Sequence, residues 1–254
     1  MKIILKFLIC IVFFNTIVFN AQTTDIQKDT LELASAVKIK KQRTLLHKSI
    51  VPLSLIGVGL AANNSQFEKN LNNDLRDAVG NNFQTSVDDY LLFVPIVQMY
   101  AADAFGMKAK NHWFDQTKYL FISNVISTGI SELLKSTITK TRPDTSDGNS
   151  FPSGHTTIAF TNAAVLQNEF QETSPVYAYS GYAFATTTGV FRMLNNRHYV
   201  SDVLVGAGIG ILVTQLVYHF EPLKKFNPFK KSKDISFFPQ YKENTYGFHF
   251  KYEL

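Results

Sequence analysis

The sequence contains one cysteine, and the scarcity of thiols excludes several kinds of site. Cys10 lies in an apolar run at the N-terminus, so the rest of the chain has no disulfide, no thiolate nucleophile and no cysteine ligand for a metal. A chain without further cysteine is compatible with an oxidising compartment. The sequence also lacks an Asp/Glu cluster or a histidine triplet that would indicate a metal site, so we predict neither a metal nor a cofactor.

Strong charge and nucleic-acid motifs are also missing. The 254 residues carry a net charge of +5, a mild excess that fits an anionic substrate or an anionic membrane face. No arm rich in Arg and Lys accompanies it, and we therefore expect no nucleic-acid partner. Hydrophobic residues make up 45% of the chain and the mean hydropathy is −0.03. These values are ordinary for a globular protein and low for one with many long membrane spans.

The N-terminus has the pattern of an export signal. Residues 1–21 start with Lys2 and Lys6, continue as an apolar core and end before Gln22, which is typical of a secretory signal peptide. Phe19 is an unfavourable residue three positions before that cleavage point, so an uncleaved membrane anchor is the alternative. In either case we expect the protein in the cell envelope, with its chemistry on the periplasmic side.

The chain divides into four predicted segments. They are a signal peptide or anchor (1–21), a polar basic leader (22–48), a helical-bundle domain (49–222) and a C-terminal tail (223–254). Within the domain, apolar stretches long enough for helices recur near 50–62, 90–106, 119–134, 156–169, 176–191 and 199–220. None reaches the ~20 apolar residues of an ideal span. The best is 203–218, where glycines would let a neighbouring helix approach closely.

The tail changes to a period of two. Between Tyr246 and Leu254 aromatic or apolar residues alternate with polar ones, which predicts a strand paired with residues 235–241. We therefore predict an all-α fold, a bundle of about five to six core helices, with a short C-terminal β-hairpin of structural character.

Three short motifs carry the candidate chemistry. The first contains Lys135 and Arg142 followed by Pro143, and its two cations share a helical face if the helix continues to Arg142. Fixed cations at a helix end suit a phosphate, with Arg giving a planar fork. By itself, this pattern is more typical of a solvated basic helix end.

The second motif is Pro-Ser153-Gly154-His155 before an apolar stretch. It predicts a tight turn and a helix N-terminus, whose free N–H groups bind anions without a metal. Gly154 would let the backbone come close to a ligand, and His155 would stand at the mouth of the site. Alone, such a motif is most often only a helix cap.

The third motif contains Arg192, His198 and Asp202. His198 and Asp202 are four apart and share a face if this segment is helical. The carboxylate would accept the proton of one imidazole nitrogen and leave the other as a nucleophile. Alone, a His/Asp pair at this spacing is more often a capping or surface pair.

Together, the order and spacing of the three motifs resemble the signature of the type 2 phosphatidic acid phosphatase and vanadium haloperoxidase superfamily. The resemblance is strong over residues 135–206. It implies a metal-independent phosphatase that hydrolyses phosphate esters through a phosphohistidine. His198 matches the nucleophile, His155 the general acid and Asp202 the residue that orients His198. The phosphate-binding positions are Lys135, Arg142, Ser153, Gly154 and Arg192. One departure is Phe191, where the family usually has Ser.

The resemblance leaves the substrate and the placement open. Lysines at 108, 110, 118, 224, 225, 230 and 231 favour cytoplasmic loops, which puts the motif loops outside and favours membrane association over a soluble periplasmic bundle. If 1–21 and 50–62 both crossed the membrane, the site would lie inside. That conflict is removed if 50–62 is interfacial or buried. A phosphorylated lipid is the leading substrate. The alternatives are a periplasmic broad-specificity acid phosphatase, a vanadate-dependent haloperoxidase and a non-catalytic envelope scaffold.

Overall fold

The structure is a computed structural model that describes residues 45–224 and 226, together with the backbone of 235–242 and 245–252. Eight helices form the described domain. They are α1 (Leu45–Ala62), α2 (Gln66–Val79), α3 (Val87–Leu91), α4 (Val94–Ala104), α5 (Trp113–Thr137), α6 (Gly154–Phe170), α7 (Pro175–Leu194) and α8 (Val200–Phe220).

The last helix, α8, is the central element of the bundle. It packs against α1, α5 and α6, while α6 packs also against α5 and α7. Both α6 and α8 are buried over most of their length. The main apolar cluster joins α8 to the other helices through Met99, Tyr119, Phe151, Leu166, Phe170, Val205, Ile209, Val213, Val217 and Tyr218.

Small residues on α8 permit this packing, as the sequence predicted. A Cβ atom on Gly210 would lie 2.5 Å from the backbone oxygen of Thr157 on α6. A Cβ atom on Gly208 would lie 2.7 Å from the backbone oxygen of Pro52 on α1. Real Cβ atoms do not come so close to backbone, so both helix contacts depend on glycine. Helix α8 is therefore held on two sides by neighbours at backbone distance.

Among the described helices, two are long and apolar enough to cross a membrane, namely α1 and α8. In α8, 72% of the apolar window is buried within the protein, compared with 17% in α1. The sequence analysis underestimated the length of α1. The helix starts at Leu45, whereas the apolar stretch over residues 50–62 alone looked too short for a span. The outward side of α1 and that of α5 expose large apolar residues, among them Leu46, Ile50, Val51, Leu53, Val58, Leu60, Phe121, Val125 and Leu133.

The all-α class is confirmed for residues 45–224, but the rest of the predicted fold class needs correction. The described domain has eight helices instead of about five to six, because 63–91 folds into two further helices. The described domain contains no β-strand, so the predicted C-terminal hairpin does not belong to it. At the C-terminus, β1 (Ile235–Lys242) and β2 (Thr245–Tyr252) pair antiparallel in a two-stranded sheet of their own. The predicted signal segment and leader up to residue 44 lie outside the described residues.

Replacing Gly210 by alanine tests the close helix contact. The added methyl group meets the backbone of α6, and neither partner can move without shifting a helix. We expect a loss of about 1–3 kcal/mol in stability and a lower midpoint of thermal unfolding in detergent.

Gly129→Ala on α5 is the matched control, because a Cβ atom there has nothing within 4 Å. Alanine favours a helix over glycine by about 1 kcal/mol, so this variant should unfold at the same or a higher temperature. Equal midpoints for the two variants would contradict the assignment of Gly210 to a backbone contact.

Candidate active site

The three sequence motifs meet at one end of the bundle. Helices α5 and α7 end there, and α6 and α8 begin there. Lys135 lies in the last turn of α5 and Arg192 in the last turn of α7. His155 lies in the first turn of α6 and Asp202 in the first turn of α8. This antiparallel arrangement explains how residues far apart in sequence converge.

The first motif reaches the site by a different route from the one predicted. Helix α5 ends at Thr137, so Lys135 and Arg142 do not share a helical face. Instead the loop folds back on itself, with the N–H of Ser150 donating to the oxygen of Lys140 at 2.8 Å and the N–H of Arg142 to that of Asp147 at 2.9 Å. The resulting surface cavity of about 270 Å³ is lined by Glu132, Lys135, Ser136, Arg142, Asp147 and Asn149.

Lys135 also touches the second motif. Its Nζ lies 3.1 Å from the position that a Cβ atom on Gly154 would occupy. The missing side chain therefore leaves room for an ammonium group at the N-terminus of α6. The first N–H that closes a bond across this turn is that of Thr157, which donates to the oxygen of Ser153 at 2.9 Å. The earlier N–H groups of Gly154 and His155 precede the helical bonding pattern.

Ser153 is more deeply engaged than the motif suggested. It is fully buried, its hydroxyl lies 2.9 Å from Thr156 Oγ1, and its N–H donates to the backbone oxygen of Asp202 at 3.0 Å. These contacts connect the start of α6 to the start of α8. A role for Ser153 in binding phosphate stays a prediction.

The imidazole of His198 is buried and fixed through one ring nitrogen. Its Nδ1 lies 2.8 Å from the backbone oxygen of Ser150 and 3.5 Å from Asp202 Oδ2. Because a carbonyl oxygen can only accept, Nδ1 carries the proton and Nε2 keeps the lone pair. His198 precedes α8, so the predicted helical face is wrong, yet the loop brings it to the same carboxylate. Ser150 was not predicted.

Burial lowers the pKa of His198 below its ordinary value, and the nearby charges of Arg192 and Arg142 lower it further. Asp202 acts in the opposite direction through its hydrogen bond and its charge. The net direction favours the neutral imidazole, which is the form that can act as a nucleophile.

Asp202 is completely buried, and three short hydrogen bonds hold its carboxylate. Its Oδ2 accepts from the hydroxyl of Ser150 at 2.5 Å and from the N–H of Tyr199 at 2.9 Å. Its Oδ1 accepts from Lys140 Nζ at 2.8 Å. A buried charge is tolerated when it is paired and hydrogen-bonded in this way. The carboxylate facing His198 therefore has a fixed position.

Lys140 extends this buried network to α2. Its Nζ lies 3.0 Å from Glu68 Oε1 and donates to Ser201 Oγ at 2.7 Å. Lys140 and Glu68 are 5% and 1% exposed. Neither residue was predicted to belong to the site.

Arg192 is positioned by α3. Its Nη1 donates to Asp88 Oδ2 at 2.8 Å, and Asp88 also accepts from Asn195 Nδ2 at 2.9 Å. Among the described residues, the Nε atoms of Arg192 and Arg142 are buried and have no hydrogen-bond partner. An anion entering the site would supply the acceptors that these two guanidinium groups lack.

His155 contacts a second carboxylate of α3. Its Nε2 lies 2.9 Å from Asp89 Oδ1. The side chain of His155 is 37% exposed, so this histidine is accessible whereas His198 is not. Within the described part of the chain, no group of three His, Cys, Asp or Glu residues could hold a metal ion.

Comparison with known proteins agrees with this geometry. The model of the PAP2 superfamily matches residues 116–226, a range that contains all three motifs. Over these residues the chain is similar to the PAP2 superfamily. The resemblance inferred from the motifs is thereby confirmed.

A curated relative of this chain is the lipid A 1-phosphatase of Porphyromonas gingivalis. It is 35% identical over 151 residues, which cover 59% of this chain and 34% of the relative. This chain thus spans about a third of the length of the curated relative it matches.

Two crystal structures of PAP2 proteins are also similar. A transmembrane phosphatidylglycerolphosphate phosphatase from Bacillus subtilis is 19% identical, with a TM-score of 0.44, covering 71% of this chain and 99% of its own. LpxE of Aquifex aeolicus is 22% identical, with a TM-score of 0.43, covering 59% of this chain and 95% of its own.

Two lysines of the site should differ in their effect on stability. Lys140→Met removes the buried cation between Asp202 and Glu68. Both carboxylates then lack this counter-ion, which costs about 3–5 kcal/mol. Lys135→Met, the matched control, removes a partner of the exposed Glu132 at 2.8 Å and should cost at most about 1 kcal/mol. Denaturant unfolding of both variants measures the difference. Similar losses would contradict the structural role assigned to Lys140.

Proposed function

We propose that this protein is a metal-independent phosphatase of the cell envelope that hydrolyses phosphorylated lipids through a phosphohistidine. One observation carries the proposal. A buried imidazole, fixed through Nδ1 in its neutral form, lies near two guanidinium groups whose Nε atoms have no partner among the described residues. This combination supplies a nucleophile for phosphorus and cations that can donate hydrogen bonds to the phosphoryl oxygens.

In the first step, Nε2 of His198 attacks phosphorus and the bond from phosphorus to the leaving oxygen breaks. His155 gives its proton to that oxygen, so the product leaves as an alcohol. The proton on Nδ1 of His198 stays between Ser150 and Asp202, and the carboxylate stabilises the positive charge on the phosphorylated ring.

In the second step, water attacks the phosphohistidine. His155, now neutral, takes a proton from the water, the nitrogen–phosphorus bond breaks, and inorganic phosphate is released. Lys135, Arg142 and Arg192 neutralise the equatorial oxygens in both steps, together with the N–H groups at Gly154. Phosphoryl transfer depends mainly on such positioning and charge stabilisation, which explains how a site of this kind works without a metal.

Apolar surface beside the acid supports a lipid as the substrate. Four large hydrophobic side chains near Asp89 are exposed, namely Val87, Tyr90, Phe93 and Val97. They lie on α3, on α4 and in the turn between these helices, next to the histidine that would protonate the leaving oxygen. A small, water-soluble leaving group would not require an exposed apolar surface beside this histidine. The curated relative, a lipid A 1-phosphatase, and the two apolar helices α1 and α8 support the same substrate class and membrane association.

The proposal is tested by phosphate release from detergent-extracted protein in the presence of EDTA. A long-chain lipid phosphate and para-nitrophenyl phosphate are offered in parallel, with His198→Ala as the inactive variant. We expect release from the lipid to survive EDTA and to fall by at least about 10³-fold in the variant, because the nucleophile is lost.

The other outcomes separate the alternatives. Release from the small ester alone would replace the lipid by a broad range of phosphomonoesters. Equal release by His198→Ala would exclude the histidine mechanism. Bromide oxidation that requires added vanadate would assign the anion site to a haloperoxidase. The absence of any turnover would favour a non-catalytic scaffold.

The pH profile tests the tautomer and charge of His198. Protonation of Nε2 abolishes nucleophilicity, so activity falls on the acid side as His198 becomes charged. Burial and the neighbouring arginines lower the pKa of His198, while Asp202 raises it. Asp202→Asn should therefore move the acid limb of kcat/KM to lower pH and reduce the plateau about 10²-fold or more. Measuring both proteins with the same substrate cancels the titration of the phosphate, and a limb that moves upward would contradict this assignment.

A further inference from the structure

The short helix α3 brings a second carboxylate to the site through a rigid connection. Asp89 Oδ1 lies 2.9 Å from His155 Nε2 and 3.9 Å from Arg192 Nη1. Asp89 itself is half exposed, but its neighbour Asp88 is buried and bonded to Arg192 and Asn195. Such anchoring fixes the direction of Asp89 without burying it.

A second pair of hydrogen bonds holds the start of this segment. The N–H of Thr85 donates to Asn195 Oδ1 at 2.9 Å, and Asn195 Nδ2 donates to the oxygen of Thr85 at 2.8 Å. Asn195 directly follows α7, the helix that carries Arg192. The contact between Asp89 and His155 is therefore set by the same element that positions a phosphate-binding cation.

Most of the surroundings of His155 disfavour its protonated form, and the net direction of its pKa is downward. Burial lowers the pKa of His155, and the charge of Arg192 lowers it further. Lys135, whose Nζ lies above Gly154, is another cation near the same turn. The opposing groups are both on α3, where Asp89 raises the pKa through its hydrogen bond and its charge, and Asp88 raises it through its charge.

We infer that Asp89 is a positioning residue that orients His155 and favours its protonated form for transfer of a proton to the leaving oxygen. This inference rests on the proposed function. With Nε2–H donating to Asp89, the imidazolium has Nδ1–H left for the substrate. As the bond from phosphorus to the leaving oxygen breaks, that oxygen takes the proton from Nδ1. In the hydrolytic step the neutral ring recovers a proton from the attacking water at the same nitrogen.

Dependence on the leaving group distinguishes this role from a structural one. Asp89→Asn keeps the size of the side chain and removes its charge. For an alkyl or lipid phosphate, whose alkoxide leaves poorly without a proton, we expect kcat/KM to fall about 10- to 100-fold, a part of the ~10²–10⁴ that general acids contribute. For para-nitrophenyl phosphate, whose phenolate leaves unaided, the loss should stay below about threefold.

The pH profile gives an independent measurement. His155 must be protonated to act as an acid, so activity on the alkyl phosphate falls on the basic side as His155 loses its proton. Removing Asp89 takes away a group that favours the protonated ring. The basic limb of kcat/KM should therefore move to lower pH in Asp89→Asn and return towards the original position in Asp89→Glu, which restores the carboxylate.

Asp74→Asn is the matched control, because Asp74 is exposed on α2 and should leave both substrates and the pH profile unchanged. Equal losses on both substrates, or an unshifted basic limb in Asp89→Asn, would overturn the inference while leaving the phosphatase intact. Failure of the proposed function is recognised separately. It would appear as absent activity in the unmodified protein or as full activity in His198→Ala, and it would remove this inference as well.

Discussion

The buried carboxylate of Asp202 is the constraint on which the rest of the site depends. It sits at the start of α8 and accepts from the loop after α5 through Ser150 and Lys140, and from the turn before α8 through Tyr199. Its backbone oxygen accepts from Ser153 at the start of α6. Three separate segments of the active end are thus aligned by one residue. A buried charge without these partners would cost several kcal/mol, so the loops and the charge stabilise each other.

The buried network around Asp202 also gives the two histidines different environments. His198 lies against the network, loses almost all contact with solvent and is held neutral with its proton on Nδ1. His155 lies on the outer side of the same end, a third exposed, and contacts a carboxylate of its own. The two identical side chains therefore differ in burial and in their nearest charges, and this difference is the basis for the opposite roles that we propose for them. The separation is the same principle by which paired titratable groups divide into acid and base.

Much of the site could be predicted from the sequence, because its residues occur in three short motifs with a characteristic spacing. The motif residues Lys135, Arg142, His155, Arg192, His198 and Asp202 lie on one contiguous stretch, and the structure brings them to one end of the bundle. The predicted reason was wrong in two places, since α5 ends before Arg142 and His198 precedes α8. Spacing along a chain does not reveal whether a helix or a folded loop delivers a side chain.

The supporting residues could not be predicted for a different reason. Glu68, Asp88 and Asp89 lie in a stretch rich in Asn and Asp, a composition typical of a loop with a short helix, and nothing local marks their partners in the later motifs. Lys140 stands two positions before Arg142, and nothing in the local sequence distinguishes it from a solvated lysine. Its burial depends on Glu68, 72 positions away. The number of helices was underestimated in the same stretch, because α2 has polar or charged residues on most positions and shows no long apolar run.

The location of these carboxylates has a consequence for how the protein is divided. Residues 116–226, which match the PAP2 model, hold every proposed catalytic side chain. The carboxylates that pair with Arg192 and His155, and one of the two that pair with Lys140, come from α2 and α3, which precede that range. The reacting groups and much of their neutralising charge thus belong to different stretches of chain. A fragment limited to residues 116–226 would keep every proposed catalytic side chain but would lose the carboxylates of α2 and α3 that neutralise their charges. The proposed functional unit therefore extends beyond the residues that match the family model.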